Sequence, residues 1–242
     1  MHRLLLPHAR DGEEALRVDG EALHHLRVLR LSPGEMLEVF DGKGRTWPAE
    51  VLQLDATHAL LRLGPGRTAT VGRPISLIQA LPKADKLEFI LQKGTELGAH
   101  AFYPVLSERT VMRLGPAAVE TRRTRWQRIV EEAARQCGRA EVPHVFPVQP
   151  LGVAVNALPP TTAVLVLDEA ETGTRLTDAA AADAAAPLAL VVGPEGGLAR
   201  AEVEALQALG AVAVSLGPLV LRTETAALAA LAVLRHSEGL LG

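Results

Sequence analysis

The sequence predicts an α/β protein with a mostly parallel sheet, preceded by a small β-rich unit, and three observations carry that prediction. From Ile75 onward, strand-like and helix-like runs alternate, the pattern of parallel strands covered by helices on both faces. Before Ile75 most of the runs are short and strand-like, and the best defined are joined by a tight turn. Between the two patterns lies GPGRTATVGRP (64–74), a breaker-rich stretch that makes a natural linker. The expected domains are therefore 1–72 and 73–242.

In the front unit, Leu37–Phe40, Trp47–Leu54 and His58–Leu63 read as strands, the first two joined by the turn Asp41-Gly42-Lys43-Gly44. A short helix over about Glu21–Leu29 has an apolar stripe of Leu23, Leu26 and Val28 or Leu29. In the second part, strand Ile75–Leu81, a helix over about Lys83–Leu97 and strand Ala101–Leu106 follow one another. A long helix begins at Pro116, which suits a first helical position, with Val119, Trp126, Val130, Ala133 and Cys137 as its seam. Strands Ala163–Asp168 and Leu188–Val192, helix Arg200–Leu209, strand Val212–Leu216 and a helix over Thr223–His236 complete the series. Residues 169–186 read as a polar connection or short helix. The last helix contains AALAALAVL (226–234), apolar all round, which predicts burial on most sides, in the core or across a subunit interface.

Composition narrows the function classes. One cysteine, Cys137, excludes a disulfide framework and a multi-thiolate metal site, and the eight His residues show no metal spacing, so no metal is expected. No apolar run reaches membrane-spanning length, and MHRLLLPHAR lacks the core of a signal peptide, which predicts a cytoplasmic protein. The net charge of −3 is segregated: residues 100–140 carry 8 basic and 4 acidic side chains, residues 141–242 carry 4 and 11. A basic middle beside an acidic back offers one face to nucleic acid while the chain stays acidic.

The most informative stretch is LALVVGPEGGLARAEVEAL (188–206), an apolar strand, a glycine turn and a helix. Glycines there permit positive φ angles or close approach of a ligand to the backbone. A triphosphate loop needs Lys and Ser/Thr after its last Gly, but Leu198-Ala199 stand there. A dinucleotide fingerprint needs GxGxxG in an early βα unit, whereas GxxGG stands near the C-terminus. Glu195 would repel phosphate, yet it suits the amine or hydroxyls of a cofactor carrying positive charge. A second turn, LGPLVLRTETA (216–226), follows the next strand, with Thr223 a candidate N-cap and Glu224 in the first helical turn. Two Gly-Pro turns at the C-terminal ends of neighbouring strands mark the edge where open α/β sheets bind ligands.

These two motifs resemble the SPOUT class of S-adenosylmethionine-dependent RNA methyltransferases, and most closely its ribosomal RNA small-subunit methyltransferase E family. HHLRVLRL (24–31), PKADKLEFILQKGTELG (82–98) and RWQRIVEEAARQCGRAEVP (125–143) extend the resemblance almost end to end. The family's last motif usually carries a basic residue where this chain has Leu219. The resemblance implies a trefoil-knotted parallel sheet in the C-terminal domain, a PUA-like N-terminal β-barrel, a homodimer through the knot, and methylation of uridine N3 in 16S ribosomal RNA or the assembling small subunit. It implies S-adenosyl-L-methionine as cofactor, held by Leu167, Gly193 and residues Leu216, Gly217, Pro218, Leu219, Val220 and Leu221. Gly196 and Gly197 would shape the first loop, and Glu195 either touches the ligand or holds that loop. Gly193→Val is expected to fill the ligand's space without unfolding the protein. Arg222 either stabilises a uridine anion or forms an ion pair with Glu195 or Glu224, and Glu224 is a candidate proton acceptor or a helix-capping acid. RNA contacts are expected from Arg27, Arg30, Lys83, Lys86, Lys93, Arg109, Arg113, Arg122, Arg123, Arg135 and Arg139, each alternatively a solvated surface charge. The competing readings are a SPOUT enzyme with another RNA target (a ribose 2′-hydroxyl or another base) and a non-catalytic RNA-binding protein of the same fold.

Overall fold

The computed structural model describes residues 1–13, 15–69, 72–111 and 115–241. It divides into two compact units, Met1–Val71 with Ala134–Val142, and Gly72–Ala133 with Pro143–Gly242.

The first unit contains β1 (His2–Leu5), β2 (Leu16–Val18), α1 (Gly20–Val28), β3 (Met36–Phe40), β4 (Arg45–Leu54), β5 (Ala59–Leu63) and β6 (Arg67–Thr68). Its sheet runs β1-β3-β4-β5-β2, with β6 on β4. Along β4, Trp47, Ala49 and Val51 are buried at period two, and with Leu4, Leu26, Leu37 and Leu61 they form the core. The three expected strands and the helix are present. β1, β2 and β6 were not anticipated, and β6 lies inside the expected linker. β1 pairs in parallel with β3, far along the chain, so no local turn signals it.

Residues 134–142, expected in the second domain, belong instead to the first unit. Val142 N donates to Gly42 O at 2.9 Å, Gly44 N donates to Ala140 O at 3.2 Å, and Arg3 Nη1 donates to Ala134 O at 3.2 Å and Arg139 O at 2.9 Å. Gly42 has φ +76°, so the turn needs glycine for its backbone, and a Cβ there would lie 3.3 Å from Val142 Cγ2, a tight contact.

The second unit contains β7 (Ile75–Ala80), α2 (Lys86–Glu96), β8 (Ala101–Leu106), α3 (Pro116–Cys137), β9 (His144–Val145), β10 (Gln149–Pro150) and α4 (Leu151–Asn156). It continues with β11 (Ala163–Leu167), α5 (Leu176–Ala181), β12 (Leu188–Val192), α6 (Arg200–Ala208), β13 (Val212–Val214) and α7 (Thr223–Ser237). The strand order is β10-β8-β7-β12-β11-β13, with β9 on β8, and every pair is parallel. Every residue of β7 and β12 is buried, which is why β12 reads as an unbroken apolar run and β7 as one broken only by Ser76 and Gln79. Ile78, Ala80, Ala189 and Val191 share one core with Leu151 and Val155 of α4 and Val203 and Leu206 of α6. The alternate residue Leu77 meets α2 on the other face, where a Cβ at Gly94 would lie 3.5 Å from Leu77 Cδ1 and 2.9 Å from Phe102 Cε1.

One expected seam is corrected. On α3, Trp126, Val130 and Ala133 are buried, but Val119 is only half-buried and Cys137 is exposed. On α7, burial is one-sided within the chain. Ala227, Ala230, Leu231 and Leu234 are buried, whereas Leu228, Ala229 and Ala232 are half-buried and Val233 is 40% exposed. Among the described residues no helix is long and apolar enough to cross a membrane.

Candidate functional site

The site forms where β11, β12 and β13 end. After β12 the chain turns through Gly193-Pro194-Glu195-Gly196-Gly197, closed by Gly197 N donating to Pro194 O at 2.9 Å, with Gly197 at φ +68°. Helix α6 then starts with Glu202 accepting from two backbone amides, Ala199 N and Glu108 N, each at 2.9 Å. After β13, Gly217 takes φ +113° and its amide donates to Ser215 Oγ at 3.1 Å.

The N-cap of α7 is Arg222, in extended conformation, rather than Thr223. Thr223 is the first helical residue, and its hydroxyl donates to Gly193 O at 2.6 Å, joining the two loops. The strands that carry the two Gly-Pro turns are not neighbours, because β11 lies between β12 and β13. The end of β11 therefore adds Leu167, Asp168 and Glu169 to the same edge, and Asp168 N donates to Val214 O at 3.2 Å.

These segments enclose a cavity of about 440 Å³. Of the residues expected to hold a cofactor, Leu167, Gly193, Glu195, Gly197, Leu216, Gly217, Leu219, Val220 and Leu221 line it, as does Arg222. Gly196, Pro218 and Glu224 are not part of its wall. Gly196 faces the other way, its carbonyl accepting from Arg109 Nη1 at 2.7 Å. Lys86, Asp168, Glu169, Ser215, Thr223 and Ala226 line the cavity without having been expected there. Asp168 and Glu169 directly follow an apolar strand, so the rule that selected the two turns could have found them. Lys86 comes from α2, and nothing in the sequence relates it to a loop more than a hundred residues away.

Lys86 organises the charge. Its ammonium lies 3.0 Å from Glu195 Oε1 and 3.2 Å from Glu224 Oε2, so it bridges the first loop to the start of α7. The hydrogen bond to Glu195 raises the Lys86 pKa above its ordinary value against the effect of burial, and Glu224 adds to the rise. Burial pushes the Glu195 carboxyl up. The bonds from its own amide, from Lys86 and from Lys83 N outweigh it and hold the pKa below the usual range. Glu195 is thus held by the chain on several sides and fixes its loop. Glu224 lies outside the lining of the cavity and is paired with Lys86, which does line it. Arg222 is exposed at the cavity wall and forms no ion pair among the described residues, so the expected pairing with Glu195 or Glu224 is not formed.

Gly193 also corrects an expectation. A Cβ there would lie 2.8 Å from both Gly197 C and Leu198 N, so a side chain would strike the loop's own backbone before it filled ligand space.

The cationic candidates separate. Arg27, Arg30, Lys83, Arg109 and Arg122 are exposed. Lys93 pairs with Glu96 at 2.8 Å, Arg123 with Glu120 at 2.6 Å and Arg139 with Glu141 at 3.8 Å, and Arg122 and Arg135 are likewise engaged. Arg113 lies outside the described residues. The run from 109 to 139 is shared between the two units, Arg135 and Arg139 belonging to the first.

In the chain a small β-rich unit precedes an all-parallel α/β domain with a cavity between strand-end turns, and two family models make this an RNA methyltransferase carrying a PUA domain. The family model described as RNA methyltransferase domain matches residues 71–235, and that described as RNA methyltransferase PUA domain matches residues 18–64. The chain belongs to the ribosomal RNA small subunit methyltransferase E family. It is 42% identical to the member from Mycobacterium tuberculosis over 220 residues, covering 88% of this chain and 83% of the relative. It is 34% identical to the Bacillus subtilis member, covering 93% and 91%. The crystal structure of the Neisseria gonorrhoeae member bound to S-adenosyl methionine superimposes with a TM-score of 0.89 at 33% identity, covering 98% of each chain.

Proposed function

We propose that the chain transfers a methyl group from S-adenosyl-L-methionine to N3 of a specific uridine in 16S ribosomal RNA, free or in the assembling small subunit. The observation that carries this is the cavity at the ends of β11, β12 and β13, whose wall suits that cofactor. Leu167, Val192 and Val220 offer apolar surface for a base, and the turns offer backbone groups. The Glu169 carboxylate, which forms no ion pair among the described residues, offers an acceptor for hydroxyls or an amine. The Neisseria relative, crystallised with S-adenosyl methionine, supports the same reading.

Bound there, the cofactor supplies an electrophilic methyl on a sulfonium. The chain's own part is to align a ring nitrogen with it, and most of the rate gain comes from that positioning. N3 lies on the pairing edge, so the uridine must be unpaired or flipped when it reacts. The Arg222 guanidinium, exposed at the wall and without an ion pair among the described residues, stabilises the uridine anion that forms as the N3 proton passes to water. Arg27 and Arg30 of the PUA-like unit, and Lys83, Arg109 and Arg122 of the second, are the exposed cations that contact phosphates.

A trefoil knot and a homodimer belong to the same reading. The 215–222 connection leaves β13 at the sheet edge, passes the 168–175 segment (Ser215 N donates to Thr174 O at 2.8 Å) and returns to start α7 beside Gly193, as a knotted passage would require. The half-covered stripe Leu228, Ala229, Ala232 and Val233 is the face offered to a second copy. Calorimetry tests the reading: binding of S-adenosylmethionine is expected, and none at about 1 mM ligand, an affinity floor of roughly −4 kcal/mol, would overturn it.

A further inference from the structure

The second unit contains a buried polar chain that the proposed reaction leaves unused. Gln79, at the C-terminal end of β7, is 1% exposed and pairs in register with Val192, the residue just before the glycine turn. A glutamine in a strand that is otherwise apolar apart from Ser76, under a sheet edge, costs free energy unless its amide is used. Its Nε2 donates to Thr223 Oγ1 and to Ala80 O, both at 2.9 Å, and Thr223 Oγ1 in turn donates to Gly193 O at 2.6 Å. Thr223 is itself only 5% exposed. The two loops that wall the cavity are therefore joined twice. Lys86 joins them at the outer side through Glu195 and Glu224, and Thr223 joins them from beneath, anchored to the sheet by Gln79.

We infer that Gln79 and Thr223 are positioning residues: their hydrogen-bonded chain sets the height of the Gly193 carbonyl and with it the spacing of the two loops before any ligand arrives. The inner tie suits this task better than the outer one. Lys86 is a half-buried point charge whose bridge salt and water weaken, whereas a hydroxyl held by a buried amide has one geometry. The Thr223 hydroxyl has a single hydrogen, and Gly193 O takes it, so Gln79 Nε2 fixes the rotor by donating to the oxygen. The position of Thr223 at the start of α7 predicts a helix cap, but its hydroxyl serves the neighbouring loop instead.

This inference rests on the cavity being a cofactor site, and its test separates the two claims. Thr223→Val removes the hydroxyl at nearly constant volume, Thr223→Ser restores it, and Gln79→Met removes the amide. In the cofactor-free protein, amide hydrogen exchange across 193–198 is expected to quicken about tenfold in Thr223→Val, return to the wild-type rate in Thr223→Ser, and quicken to a smaller extent in Gln79→Met. Calorimetry on the same proteins should show S-adenosylmethionine bound about tenfold more weakly by Thr223→Val, with Thr223→Ser near wild type. Exchange at 193–198 unchanged in a folded Thr223→Val, or in Gln79→Met should the valine variant not fold, overturns the positioning role. Exchange that responds as expected in a wild-type protein unable to bind the cofactor would leave the tie standing and overturn the cofactor reading alone.

Discussion

At the scale of single residues, Arg222 and Gly193 make opposite demands on an experiment. Arg222 caps α7 with its backbone and leaves its guanidinium exposed at the cavity wall without an ionic partner among the described residues, so its loss should barely touch the fold. Arg222→Ala is expected to keep cofactor affinity and to lose about 100-fold or more in methyl-transfer rate, measured with labelled cofactor on small-subunit particles. A near-normal rate would reduce Arg222 to a surface charge. At Gly193 a Cβ would meet Gly197 C and Leu198 N at 2.8 Å, backbone atoms that cannot swing aside. Gly193→Ala is therefore expected to lower the melting temperature by roughly 5 °C as well as to weaken cofactor binding, because the loop must rebuild. An unchanged melting curve with lost binding would restore the simpler idea that a side chain there only blocks the ligand.

At the scale of elements, the Lys86 bridge couples α2, the first loop and α7, and its pH dependence has a definite sign. Glu195 titrates below its ordinary value of 4.5 in the folded protein, so its contribution is complete above that value and is lost as pH falls through the folded pKa. Lys86 titrates above 10.5, so its contribution is complete below that value and is lost as pH rises through the folded pKa. The stability that the bridge contributes, read from thermal unfolding, should accordingly be flat from about pH 6 to 9 and weaken below about pH 4.5. Lys86→Met, which leaves two carboxylates facing each other, should weaken cofactor binding about threefold to tenfold across that flat range, the modest size reflecting partial exposure of the bridge. The elements themselves were largely legible. Ala101–Leu106 and Leu188–Val192 are the expected strands, and α3 and α7 begin at the expected Pro116 and Thr223. Their signals are local: fully buried parallel strands read as apolar runs, and Pro marks a helix start. β1, β9 and β10 escaped because they are two to four residues long and gain their order from partners distant in sequence.

At the scale of the whole molecule, the same distinction separates what the sequence shows about the site from what it hides. The glycine turns announce themselves by composition, but Lys86 and Gln79 reach them only through the packing of α2 and β7 around the sheet end, a long-range arrangement with no period in the sequence. Segment 134–142 likewise continues a helix of one unit yet belongs to the other, because its backbone completes the Gly42–Gly44 turn. The half-covered stripe on α7 makes a prediction of its own. Val233→Asp should convert a dimer to a monomer in sedimentation equilibrium without unfolding it, since Val233 is already 40% exposed within the chain. A wild-type protein that sediments as a monomer would contradict the interface. The most direct test of the central claim is mass-spectrometric mapping of methyl groups after incubating the enzyme and S-adenosylmethionine with small ribosomal subunits from a strain lacking it. One new methyl on N3 of a single 16S uridine is the predicted result, and a methyl on a ribose, on another base, or on no nucleotide at all would contradict it.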